Sequence, residues 1–224
     1  SADKYRDAWK TGGGSIYSTP SIDTAHGLIY FGTGNASPGY EDYKRPGDNL
    51  YTSSLIALDV ATGKLRWYHQ LVPHDLWGYD ASSPPVLLDL KGADQQPLPA
   101  LAAASKSGWM YVLNRLTGQP LRRSQAFVPQ DSVMFRRATA AGIDVLPGAA
   151  GGANWPPSAY SPDTGWVYVP ATDNATHYQL EKNAEGKDVT VLSFKTDAER
   201  AGTLSAINPA DGKIQWQLKT SLPM

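Results

Sequence analysis

The sequence predicts an all-β chain built as a radial array of short four-stranded sheets. Three observations carry that expectation: a high density of turn formers, short β-rich runs between them, and one hairpin that recurs. The 224 residues include 21 Gly and 17 Pro, which bracket short apolar runs instead of interrupting long amphipathic ones. With 41% hydrophobic and 10% aromatic side chains, the chain has the apolar surface for a sizeable core.

Strands are expected, in order, over residues 27–32, 54–59, 64–68, 85–90, 109–113, 166–170, 190–194 and 213–216. Each run is rich in β-branched or aromatic residues and bounded by turn formers. The best helical candidate, residues 132–141, lacks the sustained apolar face and cap that a helix needs.

The recurring hairpin sets the architecture. Residues 57–67 read Ala-x-Asp-x-x-x-Gly-Lys-x-x-Trp, and residues 206–216 repeat that spacing with Asn208, Gly212 and Trp216. A degraded copy runs from Val112 to Gln119 around Gly118. Physically, this is a strand, a tight turn with Gly at a positive-φ position, and a second strand whose Trp packs on the neighbouring sheet. Gly63 and Gly118 are 55 residues apart, about one four-stranded blade, and the 94 residues from Gly118 to Gly212 leave room for two more. About four blades of a β-propeller, as a single partial domain over residues 1–224, are therefore expected.

Charge and cysteine content narrow the function. Lys plus Arg number 20 against 21 Asp plus Glu, a net charge of −1, so no basic face is available for nucleic acid or anionic lipid. Small neutral substrates stay open. The absence of cysteine excludes disulfides, thiolate chemistry and Cys-based zinc sites, so any metal must be held by oxygen or imidazole. No stretch approaches the ~18 apolar residues of a membrane span, and residues 1–6 have no export-signal core. A mature, trimmed or internal piece is expected to begin in this way.

The repeat resembles the tryptophan-docking motif of the eight-bladed quinoprotein dehydrogenases, which oxidise alcohols or aldose sugars with pyrroloquinoline quinone (PQQ) and Ca²⁺ or a lanthanide. Six further segments match in the family's order: residues 12–17 (Gly-Gly-Gly-Ser-Ile-Tyr), 30–35 (ending Gly-Thr-Gly-Asn), 45–54, 73–80 (Pro-His-Asp-Leu-Trp-Gly-Tyr-Asp), 104–109 and 151–156 (Gly-Gly-Ala-Asn-Trp-Pro). The resemblance runs from about Trp9 to the end. It implies a periplasmic protein that passes electrons to a cytochrome or ubiquinone.

The resemblance also implies roles for single residues. Asn35 falls where the family places a metal-coordinating amide, and an amide oxygen suits Ca²⁺. Lys106 corresponds to the cation that contacts the quinone oxygens. Tyr17 replaces the Trp that many relatives place as a flat floor beneath PQQ, and Tyr offers a smaller stacking surface. Asn154 and Trp155 match a pair at the cofactor edge.

The sequence departs from the family at Gly78. Relatives carry an Asp directly after the Trp of this segment, as the base that takes the alcohol proton, and glycine accepts no proton. Asp80 stands two residues on, where lanthanide-using relatives have an extra carboxylate ligand, and on an extended segment it faces the same way. Three readings remain open: Asp80 or another carboxylate is the base, the chain is an inactive relative, or Gly78 was introduced deliberately. Asp80 is accordingly both a catalytic and a metal-ligand candidate, and it favours a lanthanide. His74 and Asp75, adjacent and therefore opposed on a strand, are not expected to form a catalytic pair.

The family's propeller uses roughly twice this length, so the chain is expected to be about half of one. It would then pair with a missing half or with itself. Two functions compete: PQQ-dependent oxidation of an alcohol or sugar, and a non-catalytic propeller scaffold of the bacterial envelope. Asn35, Lys106 and Asn154 favour the first, because a scaffold has no use for polar groups at three cofactor-facing positions.

Overall fold

A computed structural model describes residues 10, 12–132, 134–194 and 201–224; Trp9, where the resemblance begins, lies outside this set. Three four-stranded antiparallel sheets follow one another along the chain. The first is a meander of β1 (Ser21–Asp23), β2 (Leu28–Gly32), β3 (Ser54–Asp59) and β4 (Leu65–Gln70). The second comprises β5 (Val86–Lys91), β6 (Pro97–Ala104), β7 (Met110–Asn114) and β8 (Pro120–Arg123). The third is ordered β10 (Ala159–Ser161), β11 (Trp166–Asp173), β14 (Ala201–Ile207) and β15 (Ile214–Thr220). A fourth, three-stranded sheet is ordered β13 (Asp188–Phe194), β12 (Thr176–Lys182) and β9 (Ile143–Val145).

The fourth sheet differs from the spacing argument. The residues between Gly118 and Gly212 hold only three strands of one four-stranded blade, whose β15 follows Gly212, and its β11–β14 connection is extended into the β12–β13 hairpin that pairs with β9. Length alone does not distinguish a blade from a hairpin inserted into one. The helical candidate also gives way, because the described residues of 132–141 form turns and one isolated bridge, Thr139 to Gln179.

The radial arrangement follows from which strands are neighbours. The first strands of the three blades, β1, β5 and β10, lie together, with β5 between the other two. Ser21 at the start of β1 donates to the Pro85 carbonyl just before β5, at 2.5 Å. Each sheet then runs outward to its last strand, as in a propeller.

The faces between blades are the core. Leu28, Tyr30, Leu55, Ala57 and Trp67 of the first blade meet Leu101, Ala103 and Leu113 of the second. On its other face the second blade presents Ala100, Ala102, Ala104 and Val112 to Val167, Val169, Ala171 and Ile207. β6 therefore alternates between two apolar interfaces with the period of a strand. Ala100, Ala102, Ala103 and Ala104 are buried between the two neighbouring sheets, together with Leu101.

The hairpin repeat is exact in backbone terms. Gly63, Gly118 and Gly212 have φ of 67°, 74° and 76°, the left-handed region glycine enters without penalty. The amide of each glycine donates to the Asp59, Asn114 or Asn208 carbonyl, all at 2.8 Å. A register shift follows at Ala57/Leu58, Val112/Leu113 and Ala206/Ile207. Trp67 Nε1 donates to the Arg115 carbonyl at 2.9 Å, tying the first blade to the second.

Candidate functional site

The site is assembled where the hub-side ends of the first two blades meet the segment that joins them. β2 runs into Thr33-Gly34-Asn35, and the Ala81 amide donates to the Thr33 carbonyl at 3.0 Å. This bond lays residues 78–82 alongside the end of β2. Asp80 is buried, and its Oδ1 accepts the backbone N–H of Asn35 at 2.6 Å.

Lys106 reaches the same carboxylate from the β6–β7 turn. Its Nζ is ion-paired with Asp80 Oδ2 and donates to the Gly78 carbonyl at 3.0 Å. Both side chains are buried, so each charge depends on the other for solvation. Tyr17 completes this side: its ring is half-exposed, and its hydroxyl lies near Ser82 and Asp80. Burial and then the Asp80 charge push the Tyr17 phenol well above its ordinary range, so it stays protonated.

The third blade contributes through a close backbone approach. Gly152 has φ 65°, and a Cβ there would overlap the Lys106 backbone carbonyl. Glycine thus lets residues 151–154 lie against the Lys106 turn, where the Ala153 amide donates to the Ser105 carbonyl at 3.1 Å. Asn154 Oδ1 accepts from Ser82 Oγ at 3.0 Å. Two adjoining polar pairs therefore meet here: Asp80 with Asn35 and Lys106, and Ser82 with Asn154. Trp155 joins through its backbone N–H, which donates to Asn154 Oδ1, while its indole is 67% exposed.

Three further residues shape the site: Arg45 and Tyr40, which sequence reasoning did not single out, and Asp75, which it weighed only as a partner for His74. Arg45 is buried; its Nε donates to the Pro38 carbonyl at 2.8 Å, and its guanidinium also reaches the Gly39 and Asp75 carbonyls. It thereby clamps the loop after Asn35 onto the 75–80 segment. Asp75 is fully buried and accepts the Trp77 and Gly78 amides at 2.8 and 3.1 Å. Burial raises its carboxyl above the ordinary range, and these contacts make it a loop-holding group, in keeping with the rejection of a His74–Asp75 catalytic pair. Tyr40 stands over Gly78, where a Cβ would lie 2.9 Å from its hydroxyl. Buried polar loop residues have no periodicity to advertise them, so composition offered no signal for any of the three.

Residues 1–140 match the family described as PQQ: Glucose/ethanol/alcohol dehydrogenase, beta-propeller domain. The chain belongs to this PQQ-dependent dehydrogenase propeller family. Among its relatives, the quinoprotein alcohol dehydrogenase PedH of Pseudomonas putida is 31% identical over 245 residues, spanning 97% of this chain and 40% of that protein. The quinohemoprotein alcohol dehydrogenase of Comamonas testosteroni superposes with a TM-score of 0.82 at 29% identity, over 99% of this chain and 37% of that one. A europium-containing methanol dehydrogenase superposes with a TM-score of 0.79 at 28% identity, over 96% of this chain and 41% of that one. The chain thus spans about 40% of the length of the relatives it matches.

The residues present fit a quinone contact better than a complete metal shell. Lys106 supplies a fixed buried cation, and Tyr17 an accessible ring face beside it. Asn35 Oδ1 takes no hydrogen bond among the described residues, so it is free to meet a cation. Among the described residues, however, no group of three His, Cys, Asp or Glu side chains gathers. Since Ca²⁺ takes 6–8 oxygen ligands, Asn35 and Asp80 amount to a minority of a shell.

Proposed function

We propose that this chain forms the Lys106 side of the active centre of a PQQ-dependent dehydrogenase that oxidises an alcohol or sugar. The observation that supports this reading is the Asp80–Lys106 pair, buried at the meeting of two blades with Asn35 on the same carboxylate. When bound, the quinone accepts the hydride that leaves the alcohol carbon. Lys106 would hold its oxygens and offset the charge that develops there. Tyr17 would support its plane, and Asn154 with Trp155 would border its edge.

Asp80 would take the alcohol's proton, since Gly78 has no side chain to do so. A carboxylate has about four lone-pair directions, so accepting from Asn35 and Lys106 leaves Asp80 about two more, one for the alcohol's proton and one for a metal. Asn35 Oδ1 and Asp80 would supply two oxygens to Ca²⁺ or a lanthanide. The remaining ligands, and the acceptor side toward a cytochrome or ubiquinone, would come from outside the described residues, in the periplasm.

Dye-linked oxidation of primary alcohols and glucose, with PQQ and either Ca²⁺ or La³⁺ supplied, tests the reading. Turnover that requires both quinone and metal is expected once the rest of a propeller is present. Quinone binding without turnover in such a complete protein would leave the inactive-relative reading standing and sink this one.

A further inference from the structure

We infer that Tyr40 is the substrate-holding residue of this site, and that the substrate it selects is a primary alcohol with an apolar or aromatic tail. The inference rests on the dehydrogenase reading and deepens it. Its basis is a reciprocal exchange of space: Gly78 has φ 80°, and a Cβ there would meet Tyr40 Oη at 2.9 Å and Ala149 Cβ at 3.3 Å. The Tyr40 hydroxyl thus fills the volume that a side chain at residue 78 would enter.

That hydroxyl has no hydrogen-bond partner among the described residues. It is not among the enclosed unsatisfied polar atoms of the described residues, so it is open to a ligand oxygen. It stands above the peptide whose carbonyl accepts from Lys106, two residues from Asp80. An alcohol oxygen bound to Tyr40 would therefore lie beside the Lys106–Asp80 pair. Burial and the charges of Asp75 and Asp80 push the phenol up to about 12, so at neutral pH Tyr40 donates to the oxygen and takes no proton from it. The alcohol's own proton stays available to a carboxylate.

Tyr40 is also a shared wall. On one side is the hollow beside Asn35. On the other is a cavity of about 320 Å³ lined by Tyr40, Tyr43, Leu76, Trp77, Tyr178 and Leu180. Ion-paired Asp42 and Arg137 stand at this cavity, as does Asp188, paired with Lys182. Lys187 and Thr190 complete the rim, but the wall itself is mainly aromatic and aliphatic and suits an apolar tail. Much of the wall is the inserted β12–β13 hairpin, which the Thr190 amide fastens to the Tyr40 carbonyl at 3.2 Å.

The test uses the chain without cofactor. Saturation-transfer NMR with benzyl alcohol, and with glucose as the comparison, should show benzyl alcohol binding on the order of 10 mM and no glucose binding. Tyr40→Phe should weaken benzyl alcohol about five- to tenfold, as the loss of one hydrogen bond does, while leaving the fold intact by circular dichroism. Ala138→Trp, which fills the cavity, should abolish binding. Equal affinity in wild type and Tyr40→Phe, binding that survives Ala138→Trp, or no benzyl alcohol binding by the wild type would each overturn the inference. PQQ absorbance measured with the rest of a propeller supplied separates the two ideas: a protein that holds the alcohol through Tyr40 but takes no quinone would sink the dehydrogenase reading alone.

Discussion

The indole of Trp67 lies against Gly118 in the next blade, where a Cβ would stand 2.7 Å from two of its ring atoms. The relationship repeats with changed chemistry one blade on. Arg122 holds the place of Trp67 in the degraded copy, and its Cδ comes within 3.2 Å of a Cβ built on Gly212. Trp216, the last copy, is 42% exposed and leans on Tyr168 of its own blade, with ring centroids 5.8 Å apart.

These three positions should differ sharply in worth. Trp67→Ala removes a buried ring and the Nε1 bond to Arg115, and should cost about 3–5 kcal/mol. Gly118→Ala, strained in φ and crowded by the indole, should cost about 1–3 kcal/mol. Trp216→Ala should cost under about 1 kcal/mol. Urea unfolding followed by fluorescence ranks them, and equal losses at Trp67 and Trp216 would contradict the inter-blade role.

Much of this frame was legible in the sequence because it is periodic. All eight expected strands overlap observed ones, and the hairpin repeat predicted three turns of one geometry. What escaped was aperiodic or buried on both faces. Residues 97–104 are mostly prolines and alanines, poor strand formers by propensity, yet they form β6, which is packed between two neighbouring blades. In the site, Lys106, Asn35 and Asn154 were marked by resemblance; Asn35 and Lys106 meet on Asp80, while Asn154 is held by Ser82. Arg45 and Tyr40 act through loop contacts that no local pattern encodes.

Restoring a carboxylate at residue 78 should strain the loop. Gly78→Asp would place a side chain at φ 80° and against the Tyr40 hydroxyl, a cost of about 1–3 kcal/mol. Tyr40→Phe in the same chain should recover part of it, because the hydroxyl is the nearest atom. Thermal unfolding of the single and double variants measures the coupling, and additive effects would mean that the two residues do not compete for space.

Stability should fall in acid through Asp23. Burial alone raises this carboxyl, but hydrogen bonds from Arg115 and His26 outweigh it and hold the group below its ordinary range. The unfolded chain therefore binds the proton first as pH falls. The stabilisation is full above about pH 4 and disappears as pH drops through the folded-state value. Asp23→Asn should be about 2 kcal/mol less stable at neutral pH, and its deficit should shrink below about pH 4. Urea midpoints taken across that range decide it; a deficit that stays constant would exclude Asp23 as the source.

The central claim is that Lys106, buried against Asp80, is a quinone-binding cation and not merely a structural one. Titrating PQQ with Ca²⁺ into the wild type and into Lys106→Met, Asp80→Asn and the double variant measures this directly. The account predicts that Lys106→Met lowers quinone affinity at least about tenfold, and that the double variant, although relieved of the unpaired carboxylate, does not regain it. Affinity restored in the double variant, or unchanged in Lys106→Met, would contradict the account.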